Sequence, residues 1–353
     1  MKLLVVTQVV DMNHPILGFF WSWLNRFSHT FEKVTVICLE KGSSADSISG
    51  NIEVLSLGKE DGVSRAEYLK RFWKYIWEKR GQYDCVFVHM NTEYVLLGGL
   101  LWRWWGKKII LWYMHGTVTA KLRIAVWLSN VTLTATRKSC RVKSKKVHVV
   151  GHGIDIEYFL PRPRATSEIL RLITVGRISP VKDYETVIRA LGRLKQTDFK
   201  FVYTIVGAPA TANDRTYAER LAALIEECKL TVGGDIVFAG PVRHSEVKDH
   251  LYRADLFIHT SRTGSLDKVA LEAMATALPV LSSNEASQEV FDEHTDELYF
   301  SEGADEELAK KILIFSKKNE KDRYLLGFKL QNIVLKNHSL PHLVNEIQKT
   351  CAA

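Results

Sequence analysis

Two short segments combine residue types that suit an anionic, hydroxyl-rich ligand. Val175-Gly176-Arg177-Ile178-Ser179-Pro180-Val181-Lys182-Asp183 follows an apolar run and opens a helix. Gly176 lets the backbone turn closely. Arg177 and Lys182 project from one loop, and a forked guanidinium with an ammonium a turn away neutralises a diphosphate. The helix start adds free N–H groups for the same anion. An ordinary basic loop before a helix has this composition too, so the segment does not decide alone. The second segment is Ser261-Arg262-Thr263-Gly264-Ser265-Leu266-Asp267-Lys268-Val269-Ala270-Leu271-Glu272-Ala273-Met274-Ala275. The amides of Thr263, Gly264 and Ser265 can approach a ligand closely because these residues are small. Glu272 falls in the first turns of the following helix, where a carboxylate accepts two hydrogen bonds from a sugar diol. Its apolar neighbours Leu271, Ala273, Met274 and Ala275 argue against a merely exposed helix position.

Such loops need strand ends to carry them. Leu3–Val6, Val34–Cys38, Cys85–Val88, Ile109–Tyr113 and Val147–Val150 are short apolar runs without helical period, the pattern of buried strands. Amphipathic stretches separate them, including Ile16–Phe31 and Ala66–Lys79. A basic, Pro-containing stretch, Leu160-Pro161-Arg162-Pro163-Arg164, reads as a linker. The alternation then restarts with strands Leu172–Val175, Phe201–Val206, Ile236–Phe238, Leu256–His259 and Val280–Ser282. Helices Tyr184–Leu194 and Tyr217–Cys228 lie between the first of these. Alternating strands and helices predict an α/β fold with mostly parallel sheets covered on both faces. Two such halves predict two facing Rossmann-like domains with C-terminal helices, and ligands bind beyond the carboxyl ends of their strands. From Asp305 onward the chain reads as helical, with Pro341 as a break.

Residues 1–165 hold 24 Lys and Arg against 13 Asp and Glu, a net of +11, while the remainder is net −3. All nine tryptophans lie between Trp21 and Trp127. Segments such as 68–77 and 100–108 interleave aromatic residues with Lys and Arg, which suits an anionic membrane surface. Core aromatic residues with a solvated basic face give the same pattern. The basic residues are dispersed and no nucleic-acid module is visible, so nucleic acid is not expected as a partner. Cys38, Cys85, Cys140, Cys228 and Cys351 are scattered, which argues against a disulfide framework or a zinc site. No apolar run is long enough for a signal peptide or a membrane span. A cytoplasmic protein, peripheral on the inner face of the plasma membrane, is the resulting expectation.

Together the motifs resemble the retaining glycosyltransferase family 4, the group 1 glycosyl transferases of GT-B architecture. The resemblance is strongest from Gly151 to Ser283. It rests on Gly151-His152-Gly153-Ile154-Asp155, Val175-Gly176-Arg177 with Lys182, Ile205-Val206-Gly207, Phe238-Ala239-Gly240-Pro241-Val242, and Leu271-Glu272-Ala273-Met274-Ala275 with Leu278-Pro279-Val280. It implies an acceptor-binding domain over 1–160, a nucleotide-sugar domain over 161–335, and a helix over 336–353 that packs back toward the first. Arg177 and Lys182 then clamp the diphosphate and Glu272 holds the ribose diol. Backbone at Val242 and Arg243 holds the base, and Thr263, Gly264, Ser265, Leu266 and Asp267 line the donor. Gly18, in Pro15-Ile16-Leu17-Gly18-Phe19, matches a glycine loop near the phosphates. His115, in Trp112-Tyr113-Met114-His115-Gly116, matches a histidine near the transferred sugar. The family usually carries two Glu separated by seven intervening residues, but the first falls on Gly264, so Asp267 is the available substitute. The implied reaction moves a hexose from a UDP- or GDP-sugar to a glycan or lipid-linked acceptor in cell-surface polysaccharide or glycolipid synthesis, with no metal or other cofactor. Alternatives are a non-catalytic nucleotide-sugar-binding subunit, or an epimerase or phosphorylase on the same scaffold.

Overall fold

The computed structural model describes residues 1–14, 16–48, 50–164 and 167–352. The chain divides into two compact units, 1–153 with 338–353 and 154–337.

The first unit runs β1 (Lys2–Val10), α1 (Phe20–Thr30), β2 (Lys33–Lys41), β3 (Ile52–Ser56), α2 (Arg65–Glu78), β4 (Cys85–His89), α3 (Thr92–Trp104), β5 (Lys108–Trp112), α4 (Ala120–Leu128), β6 (Val131–Thr134) and β7 (Val147–Val149). The strands form one sheet in the order β3-β2-β1-β4-β5-β6-β7, every pair parallel. Alternation along each strand feeds two cores, because successive side chains point to opposite faces. Leu4, Val6, Val86, Val88, Ile109 and Leu111 face α2, α3 and α4. Leu3, Val5, Val34, Val36, Phe87 and Ile110 face the other way, onto Trp23, Leu24 and Phe27 of α1. The Ile16–Phe31 stretch starts its helix only at Phe20, because the preceding turn is closed by Gly18 N donating to the His14 carbonyl. Pro15 lies outside the described residues.

The second unit runs β8 (Leu170–Val175), α5 (Tyr184–Lys195), β9 (Phe201–Val206), α6 (Ala212–Glu227), β10 (Ile236–Gly240), α7 (His244–Tyr252), β11 (Leu256–His259), α8 (Lys268–Ala275), β12 (Val280–Ser282), α9 (Gln288–Phe291), α10 (Thr295–Leu298), α11 (Asp305–Ser316) and α12 (Glu320–Asn337). Its sheet has the order β10-β9-β8-β11-β12, again parallel throughout. The anticipated linker at Leu160–Arg164 lies inside this unit. Ile154 and Phe159 belong to its core, and Arg164 donates to the carbonyls of Ala254, Thr276 and Ala277. The division falls instead between Gly153 and Ile154.

The final helix, α13 (Leu340–Ala352), returns to the first unit. Pro341 stands in its first turn, where the missing N–H has no partner to lose. Leu340, Leu343, Val344 and Ile347 pack into the α1 side of the core. Gly153, at φ +74°, lets the chain pass beneath them; a Cβ there would meet Leu343 Cδ2 and Trp23 Cζ2. Trp23 Nε1 donates to the Gly153 carbonyl at 3.0 Å. Cys351 of this helix forms a disulfide with Cys85 of β4, which corrects the expectation of unpaired cysteines. The two are 266 residues apart, so no local spacing announces the pair.

Two outcomes follow. Thiol titration of the unfolded, unreduced protein should count three free cysteines, and five would remove the disulfide. Leu343→Ala should destabilise the first unit by about 2–5 kcal/mol, the range for a fully buried Leu, read as a lower midpoint in urea.

Candidate functional site

In each sheet the strand order reverses beside the first strand of the unit. In open α/β sheets the loops leaving the two strands at such a reversal bound the binding crevice. In the second unit these strands are β8 and β11. The loop after β8 carries Arg177 and Lys182, and the loop after β11 carries residues 261–267. The two loops are bonded together. Thr260 Oγ1 donates to the Lys182 carbonyl at 2.6 Å, and Arg262 N donates to the Val181 carbonyl at 2.8 Å. Asp183 holds the left-handed conformation at φ +47° and accepts from Thr186 Oγ1 at 2.7 Å. Arg262 Nη2 lies 2.8 Å from the same carboxylate. Burial raises the Asp183 carboxyl above its ordinary range despite these donors.

Lys182 is mostly buried and forms an ion pair with Asp267. Asp267 Oδ2 also accepts from His259 Nε2 at 3.0 Å, and His259 Nδ1 lies 2.9 Å from Ser282 Oγ. Burial would raise the Asp267 carboxyl. The Lys182 charge and the His259 hydrogen bond outweigh that and hold it well below the ordinary carboxylate range. Gly264 adopts φ +68°, a conformation that L side chains rarely hold. The backbone here therefore suits the glycine, and a carboxylate reaches the loop from Asp267 instead. Thr263 Oγ1 donates to the Ser265 carbonyl, and Asn284 Nδ2 donates to the carbonyls of Ser261 and Ser265. Leu266 is buried in the core.

Arg177 turns elsewhere. Its side chain is half exposed, with Nε 3.7 Å from Asp214 Oδ2. Asp214 is buried at the start of α6 in a capping box with Thr211. Burial opposes ionisation there, but bonds from Thr211 and Ala210 and the Arg177 charge keep its carboxyl below the ordinary range. Arg177 and Lys182 thus leave one loop toward two different carboxylates. The loop stays close to β9, where a Cβ on Gly207 would strike the Gly176 carbonyl.

Glu272 is buried on α8. It accepts from His244 Nε2 at 2.9 Å, and Lys268 Nζ lies 3.6 Å from the same oxygen. Burial pushes the Lys268 ammonium down to about 8 against the pull of Glu272 and Asp155. Val242 and Arg243 immediately precede His244, so the start of α7 and Glu272 are brought together. Arg243 is exposed and bonds Glu246.

In the first unit, Gly18 is buried in the turn after β1, and a Cβ there would meet the carbonyls of Met12 and His14 at 2.6 and 2.7 Å. β1 and β4 flank the strand-order reversal, where Gln8 Nε2 donates to Asn91 Oδ1. His115 follows β5, is exposed, and sets its ring edge-on to Tyr113 at 5.6 Å. Among the described residues no three His, Cys, Asp or Glu side chains are grouped to hold a metal ion.

His244, His259, Lys268 and Asp214 were not anticipated. The spacing of Lys268 and Glu272, four residues apart on a helix, was a usable signal. So was His259, a polar residue ending an apolar strand.

The profile of Glycosyl transferases group 1 matches residues 162–326, and that of Glycosyl transferase 4-like matches residues 16–130. The D-inositol 3-phosphate glycosyltransferase of Kineococcus radiotolerans is 31% identical over 152 residues, 39% of this chain and 34% of that protein. The amylovoran biosynthesis glycosyltransferase AmsK of Erwinia amylovora is 28% identical over 194 residues, 51% of this chain and 44% of that protein. This chain therefore matches under half the length of either relative. Among solved structures, Anabaena Alr3699/HepE in complex with UDP superposes with a TM-score of 0.78 at 16% identity, covering 100% of both chains. The sucrose-phosphate synthase of Thermosynechococcus elongatus superposes with a TM-score of 0.76 at 13% identity, over 99% of this chain and 98% of that one. These likenesses establish the GT-B fold. With both family profiles matched along its length and the fold in agreement, the chain belongs to the group 1, family 4 glycosyltransferases.

Proposed function

We propose that this protein is a retaining hexosyltransferase that takes a sugar from a UDP- or GDP-sugar held by the second unit. The acceptor is a glycan or lipid-linked molecule of cell-surface polysaccharide or glycolipid synthesis, bound by the first unit. The observation that carries this reading is the ion pair at the switch point between Lys182 of the loop after β8 and Asp267 of the loop after β11, with Glu272 on the helix that this second loop opens. The relatives' names span inositol 3-phosphate and amylovoran biosynthesis, and HepE was crystallised with UDP and with UDP-glucose. UDP-glucose is therefore the first donor to test.

In the proposed reaction the bond between the anomeric carbon and the diphosphate oxygen breaks with its electron pair leaving on the diphosphate, while an acceptor hydroxyl oxygen bonds to the anomeric carbon from the same face and its proton passes to the departing diphosphate. Arg177, Lys182 and helix N-terminal amides stabilise that growing charge, which is the electrostatic mode of catalysis. Glu272 accepts the ribose hydroxyls, with His244 and Lys268 holding its carboxylate in place. Val242 and Arg243 meet the base, and residues 263–267 line the donor sugar. Gly18 and His115 serve the phosphates and the transferred sugar from the first unit. Two cationic side chains take the place of a divalent metal.

Glu272→Ala should weaken donor binding about 10- to 100-fold, the value of hydrogen bonds to a charged group, seen as a smaller donor-induced rise in Tm. Lys182→Ala should lower kcat roughly 10²–10³-fold. Turnover should persist undiminished in EDTA, and loss restored by Mg²⁺ or Mn²⁺ would refute metal independence. Inverted product, seen by NMR of the anomeric proton, would refute retention. Donor binding without turnover on any acceptor would favour a non-catalytic donor-binding subunit.

A further inference from the structure

The outer side of the α2–α3–α4 layer has no counterpart elsewhere in the family motifs or in the proposed chemistry. The inner sides of these helices fill the core with Phe72, Ile76, Val95, Trp102, Leu122 and Val126. Their outer sides should then be polar. They are not. Trp73 and Trp77 on α2 are 44% and 48% exposed, Trp104 on α3 is 74% exposed, and Trp127 on α4 is 64% exposed. Leu100 and Ile124 are exposed beside them. Spacings of three and four residues put each pair on one side of its helix.

These side chains form a connected patch. Trp73 Nε1 donates to the Leu97 carbonyl at 3.1 Å, joining α2 to α3. The rings of Trp77 and Trp105 meet edge-on at 5.6 Å. Arg103 crosses from α3 to α4, with its guanidinium 5.8 Å from the Trp127 ring and a bond to the Trp127 carbonyl. Arg80 lies over Trp77 at 4.8 Å.

Charge selects the occupant. Residues 94–154 contain eleven Lys and Arg and no Asp or Glu. Lys70, Lys74, Arg103 and Arg123 are exposed on the same three helices. Exposed indole rings interleaved with cations, spread over three helices instead of gathered in a pocket, match a surface with phosphate outside and hydrocarbon beneath. A contiguous apolar patch of this kind marks an interaction site. Among the described residues no helix is long and apolar enough to cross a membrane.

We propose that the outer face of α2, α3 and α4 docks this protein on an anionic lipid bilayer, with Trp104 and Trp127 entering the headgroup layer and Arg103 and Arg123 meeting lipid phosphates. The proposal deepens the reading of a lipid-linked acceptor, because docking brings the first unit to where such an acceptor is anchored. The binding itself requires neither donor nor turnover.

The test is co-sedimentation of the full chain with vesicles of phosphatidylcholine alone or mixed equally with phosphatidylglycerol, at low and high salt. Wild type should bind the mixed vesicles at low salt and be released by high salt. The double variants Trp104→Ser/Trp127→Ser and Arg103→Glu/Arg123→Glu should each bind roughly tenfold more weakly or worse. Circular dichroism and an unchanged Tm check that both variants fold. Absence of wild-type binding to the mixed vesicles overturns the proposal, as does binding that both variants retain. Concentration-dependent self-association that the tryptophan variant abolishes, without vesicle binding, assigns the face to a protein and equally overturns it. Vesicle binding by a chain that binds no nucleotide-sugar would sink the proposed function and leave the docking face standing.

Discussion

Asp267 sits between an ammonium from one strand end and an imidazole from the next, and the second unit's crevice is arranged around that carboxylate. Lys182 comes from the loop after β8 and His259 from the end of β11. The loop after β8 closes on itself through a 3-10 turn at Pro180–Lys182, and the ion pair with the Thr260 and Arg262 bonds ties it to the loop after β11. Taking away one partner of a buried pair leaves an uncompensated charge, which costs about 3–5 kcal/mol. The arrangement is therefore stiff, and it fixes where a lysine ammonium stands before any ligand arrives. For the reaction proposed above, such pre-placed charge would serve the departing diphosphate, because nothing must reorganise as charge develops. Glu272 is handled similarly, one turn further along α8, by His244 and Lys268.

The departure at Gly264 takes on a physical sense in this setting. A glutamate there would have to sustain φ near +68°, and the glycine does so without steric cost. The loop is braced by its own small side chains and by Asn284, while the negative charge is supplied from the helix start.

Much of this was legible in the sequence because it is local. Arg177, Lys182 and Glu272 follow apolar runs that are unmistakably strands, and all ten anticipated strands are present with ends shifted by a few residues. What escaped was either weakly patterned or distant. β3 is half-buried and β6 is a four-residue Thr-containing run, so neither stands out from its surroundings. The carboxylate that holds Lys182 lies 85 residues away, and the Cys85 partner 266 residues away. The Pro-containing stretch at 160–164 reads as a linker by composition, yet its Arg164 is anchored by three carbonyls of the second unit. Composition reports flexibility of the free chain, not what the folded neighbours do with it.

The return of α13 to the first unit has a consequence in time. Strands β1 to β7 emerge from the ribosome first, but the helix that covers their α1 side beside Trp23 is made only after the whole of the second unit. Domains generally fold as units during synthesis. Here the second unit, continuous from 154 to 337, can close before the first one is complete. Until then Leu3, Val5, Phe87 and Ile110 have only α1 over them, and the nascent sheet waits with part of its apolar face bare. The unit whose strands are made first is thus the one completed last.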